Sequence, residues 1–344
     1  MRKRSVAWGR LLPPATLFLL GIAAALPLWG PGLLNTRGGG DSPFLLLRTH
    51  QLAAVLRAGH IPARWMPDAA YGLGYPFFNY YAALPYYLAA ALHLVGFDLL
   101  SAVKLTQTLF SVAAALAMYG WARHLLGSRA GGWLAGAAYA FAPFHLVNLY
   151  VRGDALSEFA AFAFYPLVLW GLDRLLEEPE PRGAISFALP YAGLVLTHNV
   201  SALIFTPFAL LYLLVRALSR REGRWRVLGM GLAAWALGLA LSAWFWLPAL
   251  AEIDQVQLTA QTTGYFFYGN HFRGTDLVQG SFLFDYGMGE GQTPFSMGLV
   301  QAVMVAAGVA VLLVRWVRRR RVDWAGGVAV GGLALATWMI TSLS

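Results

Sequence analysis

The sequence predicts an all-α, polytopic integral membrane protein. Apolar residues make up 58% of its 344 residues and charged residues only 12%, whereas a soluble domain has about 25% charged residues. The apolar residues form continuous runs of about 20, the length of a bilayer-spanning helix, rather than the alternating pattern of a membrane barrel. The chain has no cysteine, which excludes thiol catalysis, disulfide bonds and cysteine zinc sites.

Nine apolar runs predict membrane crossings. Basic residues precede the first run, and no small-residue cleavage site follows it, so we expect a retained helix rather than a cleaved signal peptide. The fifth and sixth runs almost touch, and they predict either a tight hairpin or one long, kinked segment. The nine runs are Leu11–Leu34, Ala102–Trp121, Gly131–Val151, Leu156–Leu172, Ala184–Val200, Ala202–Leu218, Val227–Leu250, Phe295–Val314 and Trp324–Leu343.

A tenth run, Phe77–Phe97, contains Pro85, Asn79 and several tyrosines. We expect it to be re-entrant or interfacial, because only then do the basic connections all lie on one side, as the positive-inside rule requires. This places the N-terminus in the cytoplasm and the chain in the cytoplasmic membrane. It also explains the net charge of +9 without a nucleic acid partner. The basic connections are residues 1–10, 122–130, 173–183, 216–226 and 315–323.

Two long outward segments, residues 35–101 and 251–294, interrupt a single predicted domain that covers residues 1–344. Long structured loops often carry function. Within the first segment, Phe44–Ala58 has helical spacing of Leu and Ala, and it predicts an interfacial amphipathic helix. An apolar run ends together with the chain at Ser344, so we expect that the natural protein continues beyond this point.

Asp41 is the first candidate catalytic residue. It follows three glycines a few residues beyond the first predicted helix, and glycine allows the backbone to fold tightly against a partner. Its carboxylate could serve as a general base or metal ligand at the outer membrane surface. The alternative is an N-cap for the helix that follows, because Asp followed by Ser-Pro is a typical helix start.

Arg152, Asp154 and Glu158 form the second candidate group, between two predicted crossings. Asp154 and Glu158 are four residues apart and would share one face of a helix. Arg152 could bind a phosphate while a carboxylate activates a hydroxyl. The alternative is a local ion pair that caps the helix, where acidic side chains are favourable.

His198 and Asn199 lie between the two adjacent short runs. Polar groups at membrane depth are costly unless they are paired. They could contact a phosphate or a sugar, or they could form a hydrogen-bonded helix break.

Arg64 and Tyr80 belong to a polar and aromatic strip in the first outward segment. Such a strip suits a sugar face, and it equally suits anchoring at the level of the lipid headgroups.

Four motifs resemble a known family. They are Gly40-Asp41-Ser42-Pro43, GHIPARWMPDAAYGLGYPFFNYYAALPYYL, Leu149-Tyr150-Val151-Arg152-Gly153 with Glu158, and LTHN. They resemble the membrane family named "6-pyruvoyl-tetrahydropterin synthase-related", which is similar to the glycosyltransferase C (GT-C) superfamily. The similarity runs from about Leu11 to the end of the chain.

The resemblance implies a GT-C-like core that passes a sugar from a polyprenyl-phosphate carrier to an acceptor at the outer face. It implies Asp41 as the general base, with Glu158 and Asp154 as support. Arg152 or Arg64 would bind the phosphate, and Tyr80, His198 and Asn199 the substrate. If a metal takes part, Mg²⁺ or Mn²⁺ on Asp41, Asp154 and Glu158 would suit oxygen ligands.

Two other functions stay open at this point. A transporter or lipid flippase would place charges near the bilayer midplane in repeated halves, whereas the acidic residues here gather at one edge. A non-catalytic membrane scaffold with the same fold would not require Asp41 or Glu158, and a fold alone does not establish an activity.

Overall fold

The computed structural model describes residues 2–34, 42–152, 155–257, 276–287, 295–320 and 324–341, with isolated positions at 263, 267, 269, 272 and 274. The described residues are predominantly helical and contain no β-strand beyond two isolated bridges. The helices are α1 (Arg2–Ala25), α2 (Ser42–Arg57), α3 (Phe77–Tyr80), α4 (Leu84–Leu94), α5 (Leu99–Leu126), α6 (Arg129–Ala140), α7 (Pro143–Leu146), α8 (Leu156–Glu177), α9 (Pro181–Thr197), α10 (Asn199–Leu218), α11 (Arg224–Leu241), α12 (Ala243–Ala251), α13 (Leu299–Arg319) and α14 (Trp324–Met339).

Five described helical segments are long and apolar enough to cross a membrane. The number becomes seven if two broken pairs, α6 with Pro143–Val151 and α11 with α12, each count as one span. Nine crossings are therefore not confirmed. The helices α9 and α14 have 17 and 16 residues, about 26 and 24 Å, which falls short of a hydrocarbon core of about 30 Å. The five segments are Leu11–Trp29, Leu99–Leu126, Leu156–Glu177, Asn199–Leu218 and Leu299–Arg319.

The chain divides into two compact units. The first comprises Met1–Phe141 and Asn148–Ala251, and α5 and α8 lie at its centre. Small residues let these helices approach their neighbours closely. A Cβ atom on Gly171 of α8 would lie 2.3 Å from the backbone oxygen of Ser186 in α9, so the backbones of the two helices are nearly in contact.

The helices α9 and α10 form a tight hairpin, which settles the alternative left open by the sequence. The hydroxyl groups of Tyr191 in α9 and Thr206 in α10 lie 2.8 Å apart. In one continuous helix, 15 residues would separate them by about 22 Å. The chain therefore reverses direction at His198, which caps α10.

The first unit has two distinct ends. At one end, Asp173 of α8 accepts hydrogen bonds from Trp121 of α5 and Tyr212 of α10, so the three helices finish together. The Arg-rich connections after these helices lie at that end. The helices α5, α8 and α10 accordingly begin at the opposite end, where α2, α3 and α4 pack.

The segment Phe77–Phe97 folds as α3 and α4. The longer of the two, α4, has 11 residues, about 16 Å of helix, and is too short to cross a bilayer, as expected for a segment without a net crossing. The helix predicted for Phe44–Ala58 is present as α2, and its buried Leu45 and Leu52 pack in one apolar cluster with Tyr86 of α4. The location of α2 at a membrane interface stays a prediction.

The second unit comprises Ala142–Val147 and Glu252–Ser344. Within it, Gly326 of α14 packs against the side chains of Leu312 and Trp316 in α13. The segment before α13 is anchored by a backbone pair in which Gln279 donates to Met297 over 2.9 Å.

Candidate functional site

Polar and aromatic residues from separate parts of the sequence meet where α8 and α10 begin. The Ser157 hydroxyl of α8 donates to the backbone oxygen of Ala82 over 3.2 Å, which joins α8 to the connection between α3 and α4. The ring of Tyr81 lies 6.3 Å from the ring of His198, centre to centre. Residues from the first outward segment therefore meet the start of α8 and the His198 break. We call this region the outer-end site and define it by Tyr81, Arg152, Glu158 and His198.

An ion pair between Arg152 and Glu158 lies at the centre of the outer-end site. Glu158 lies in the first turn of α8, where the helix dipole favours a negative charge. The Arg152 guanidinium donates to a carboxylate oxygen of Glu158 and, over 2.9 Å, to the side-chain oxygen of Asn148. Both bonds leave the same guanidinium nitrogen, and Asn148 is buried, so it helps to fix the position of Arg152.

His198 and Ser201 form the cap of α10 beside this pair. The Nδ1 atom of His198 accepts a hydrogen bond from the Ser201 backbone, and its distance to the Ser201 hydroxyl is 2.7 Å. His198 also lies close enough to Arg152 and Glu158 for both charges to act on its ring. The His198 ring therefore has a structural role as a hydrogen-bonded break, while a contact with substrate stays a prediction, as it does for Asn199 at the start of α10.

Tyr165 of α8 links the ion pair and the cap. Its hydroxyl lies beside the Ser201 side chain and within electrostatic reach of Glu158. Its ring lies 4.7 Å from the ring of Phe205 in α10. No motif in the sequence pointed to Tyr165, although its spacing of seven from Glu158 places both residues on one face of α8.

Arg48 of α2 contributes a second cation, which lies within an aromatic cluster. Its guanidinium carbon is 4.5 Å from the ring centre of Phe77, 5.5 Å from that of Phe44 and 5.7 Å from that of Tyr81. It also donates to the Tyr86 hydroxyl over 3.2 Å. Cation–π contacts of this kind hold α2 against α3 and α4, and they bring Arg48 to the Tyr81 ring that faces His198.

Arg64 contributes a third cation. It donates to the side-chain oxygen of buried Asn79 over 3.0 Å and to the backbone oxygen of Trp244 over 2.7 Å. The usual helical partner of the Trp244 oxygen would be the N–H of residue 248, but that residue is Pro248, which has none. Among the described residues, no carboxylate lies within 4 Å of the Arg64 nitrogens. Within the described residues, the partners of the Arg64 guanidinium are therefore neutral oxygens.

Of the remaining predicted site residues, the structure describes Tyr80 but not Asp41 or Asp154. Asp41 and Asp154 lie outside the described residues, so the proximity of either to Glu158 stays a prediction. Tyr80 is half-buried in α3, next to Asn79. The described residues contain no group of three His, Asp or Glu side chains that could hold a metal ion, and of the three predicted metal ligands they include only Glu158.

Comparison with known proteins agrees with a membrane location. A model of the family described as "6-pyruvoyl-tetrahydropterin synthase related domain; membrane protein" matches residues 78–312. This range includes the ion pair and the His198 cap, and it begins after Arg48 and Arg64. The chain is also similar to an uncharacterized protein of Lactococcus lactis subsp. cremoris (strain MG1363), with 25% identity over 225 residues. That alignment covers 64% of this chain and 36% of the relative, so the chain spans about a third of the relative's length.

Proposed function

We propose that this chain, which belongs to the 6-pyruvoyl-tetrahydropterin synthase related domain family of membrane proteins, is a membrane glycosyltransferase. It would transfer a sugar from a polyprenyl-phosphate donor to an acceptor at the outer membrane face. The observation that carries the proposal is the ion pair of Arg152 and Glu158. It lies beside His198 and beside the stacked rings of Phe77 and Tyr81, which we call the aromatic wall. The arginine suits a phosphate, the carboxylate suits a sugar hydroxyl, and the aromatic rings suit the face of a sugar.

Among the described residues of the outer-end site, cations outnumber carboxylates, which favours an anionic group. Arg48, Arg64 and Arg152 all lie in this region, and Glu158 is the carboxylate that pairs with one of them. Guanidinium groups bind phosphate oxygens with charge-assisted hydrogen bonds. A lipid phosphate is a stable leaving group that needs no strong protonation. A cation that stabilises its developing negative charge is therefore the main catalytic requirement on the donor side.

The carboxylates would act on the acceptor and the sugar. In this proposal Asp41 removes the proton from the acceptor hydroxyl, as a general base. Glu158 orients the Arg152 guanidinium toward the phosphate and accepts a hydrogen bond from a sugar hydroxyl. The exposed fraction of the Glu158 side chain is 21%, which leaves part of it accessible to a substrate.

A divalent cation has no part in the proposed steps. Glu158 already accepts from a guanidinium, and a metal ion at that carboxylate would be repelled by the same positive charge. The donor set of the described residues therefore does not fit Mg²⁺ or Mn²⁺ at Glu158. The proposal assigns the stabilisation of the leaving phosphate to arginine alone.

The aromatic rings of Phe77 and Tyr81 would form the sugar-binding wall. They stack 4.6 Å apart with Arg48 above them, so they are held rigidly. Tyr80, the residue before Tyr81, and His198, whose ring lies 6.3 Å from that of Tyr81, would contact the substrate beside this wall. Rigid side chains position a substrate at low entropic cost.

The test is a transfer assay with full-length protein in membranes and radiolabelled polyprenyl-phosphate sugars. We compare the wild type with Asp41→Asn, Glu158→Gln and Arg152→Gln, with Glu177→Gln as a control at the opposite end of α8. Loss of transfer in the first three variants, with normal expression, would support the proposal. Unchanged transfer in all three would overturn the assigned site, and no transfer with any donor would favour a transporter or scaffold instead.

A further inference from the structure

An apolar cavity lies directly beside Arg64. Its volume is about 450 Å³, within the usual range of about 300–1,000 Å³ for ligand pockets. The walls come from the loop after α2, from α4, from the end of α9 and from α12. The lining residues are Ile61, Pro62, Leu84, Tyr87, Leu196 and Trp244.

Arg64 lies at the edge of this cavity, on two independent observations. Its guanidinium donates to the backbone oxygen of Trp244, whose side chain forms one wall. The residue before Arg64, Ala63, donates its backbone N–H over 2.8 Å to the hydroxyl of Tyr87, which forms another wall. Arg64 is therefore a half-buried cation next to the apolar cavity, and no carboxylate of the described residues pairs with it.

This combination fits an amphiphile with an anionic head. An apolar cavity favours a hydrocarbon chain in proportion to the area that the chain removes from its surroundings. The guanidinium can donate to a phosphate from its remaining N–H groups, because its two contacts use two of five donors and their acceptors, of Asn79 and Trp244, are both neutral. A zwitterionic or neutral headgroup would bring less net charge to Arg64.

The cavity is also joined to the outer-end site. Leu196, which lines the cavity, is separated by a single residue from His198, whose ring lies 6.3 Å from that of Tyr81 in the outer-end site. Asn79, which holds Arg64, lies in the same short helix as Phe77 of the aromatic wall. A chain in this cavity would therefore place its phosphate next to the residues proposed for transfer.

We infer that the cavity holds the isoprenyl units nearest the phosphate of the polyprenyl-phosphate donor, with Arg64 binding that phosphate. This inference rests on the proposed function for the identity of the donor. It makes Arg64 and the cavity the part of the protein that selects the isoprenyl chain, while Arg152, oriented by Glu158, shares the binding of the phosphate.

The experiment measures binding rather than transfer. Full-length protein in lipid nanodiscs is mixed with a sugar-free long-chain polyprenyl phosphate that carries a photoreactive group on the isoprenyl unit nearest the phosphate. Competitors are the unlabelled polyprenyl phosphate, the corresponding polyprenol and phosphatidylglycerol. The variants are Arg64→Gln, which removes the charge, and Leu84→Trp, which fills the cavity. Matched controls are Arg57→Gln at an exposed position of α2 and Leu94→Trp at an exposed position of α4.

We expect crosslinks at Leu84, Leu196 or Trp244, and competition by the unlabelled polyprenyl phosphate alone. Each test variant should weaken binding about tenfold or more, while both controls bind as the wild type does. Equal competition by phosphatidylglycerol would overturn the choice of occupant, and unchanged binding in both test variants would overturn the site. The two proposals fail separately: if the wild type binds the polyprenyl phosphate but transfers no sugar from any donor, the proposed function is rejected and the assignment of the cavity stands.

Discussion

Arg152 and Glu158 form their ion pair at the edge of the bundle, where both side chains keep contact with solvent. The exposed fractions are 36% for Arg152 and 21% for Glu158. Ion pairs with this degree of exposure contribute about 0–1 kcal/mol to stability. The pair is therefore a minor element of the folded core, so a variant can test its proposed role in transfer without a large loss of stability.

Glu158→Gln is expected to separate activity from stability. The variant keeps the size of the side chain but removes the charge that orients Arg152. Loss of one oriented electrostatic contact typically lowers kcat about 100-fold or more, whereas the free energy of unfolding should fall by less than about 1 kcal/mol. The measurements are transfer rates in membranes and thermal unfolding in detergent.

Glu177→Gln is the control for that comparison. Glu177 pairs with His124 over 3.1 Å at the other end of α8, and 54% of its side chain is exposed. The control should leave both transfer and thermal unfolding unchanged. An equal loss of transfer in the two variants would show that charge on α8, rather than the position of Glu158, controls the rate.

Asp173 is expected to be essential for stability and dispensable for binding at the outer-end site. It is 1% exposed, it accepts from Trp121 and Tyr212, and a nitrogen of Arg216 lies 3.5 Å away. Removing one partner of a buried ion pair costs about 3–5 kcal/mol. Asp173→Ala should therefore lower the unfolding temperature strongly, and Tyr212→Phe should lower it less, because it removes one hydrogen bond worth about 1.5–3 kcal/mol.

The folded fraction of Asp173→Ala should still bind polyprenyl phosphate. Asp173 lies 15 residues beyond Glu158 on α8, about 22 Å along the helix axis. Binding measured per folded molecule, after size-exclusion chromatography in nanodiscs, checks this expectation. Lost binding in well-folded protein would mean that the two ends of the bundle are coupled.

Gly171 is expected to tolerate no side chain, in contrast to Gly229. A Cβ at Gly171 would lie 2.3 Å from the Ser186 oxygen, whereas nothing lies within 4 Å of one at Gly229. Gly171→Ala should separate α8 from α9 and lower the unfolding temperature. Gly229→Ala, on α11, should leave it unchanged or raise it, because alanine favours a helix by up to about 1 kcal/mol. Equal effects in thermal unfolding would contradict the close packing of α8 and α9.

The sequence predicted the helix break at His198 as one alternative, but it did not predict the break within Val227–Leu250. Val227–Leu250 is apolar throughout and indicated one crossing, yet the chain bends by 72° between α11 and α12. The hydroxyl of Ser242 contacts the backbone oxygens of Gly238 and Leu239 at this bend, and such bonds favour bending of a helix. Hydropathy reports the length of an apolar run, and it is insensitive to one small polar residue within that run.

The candidate site was predictable where its residues are close in sequence. Arg152 and Glu158 are six residues apart, and their charges indicated a local pair. The contact of Arg64 with Trp244 joins residues 180 positions apart and uses a backbone oxygen, which no side-chain pattern reveals. Arg48 was visible only as part of an amphipathic helix, because its aromatic partners Phe77 and Tyr81 come from another segment.

The orientation of the bundle gives a final prediction. The Arg-rich end should face the cytoplasm and the outer-end site the opposite side, because basic loops are retained on the cytoplasmic side. The wild-type chain has no cysteine, so single cysteines can report each end. The exposed positions are His60, after α2, and Ser219, after α10. A membrane-impermeant maleimide should label His60→Cys in intact cells, and Ser219→Cys only in inverted vesicles. Labelling of both from one side would contradict their placement at opposite ends of a spanning bundle, and the reverse pattern would contradict the orientation.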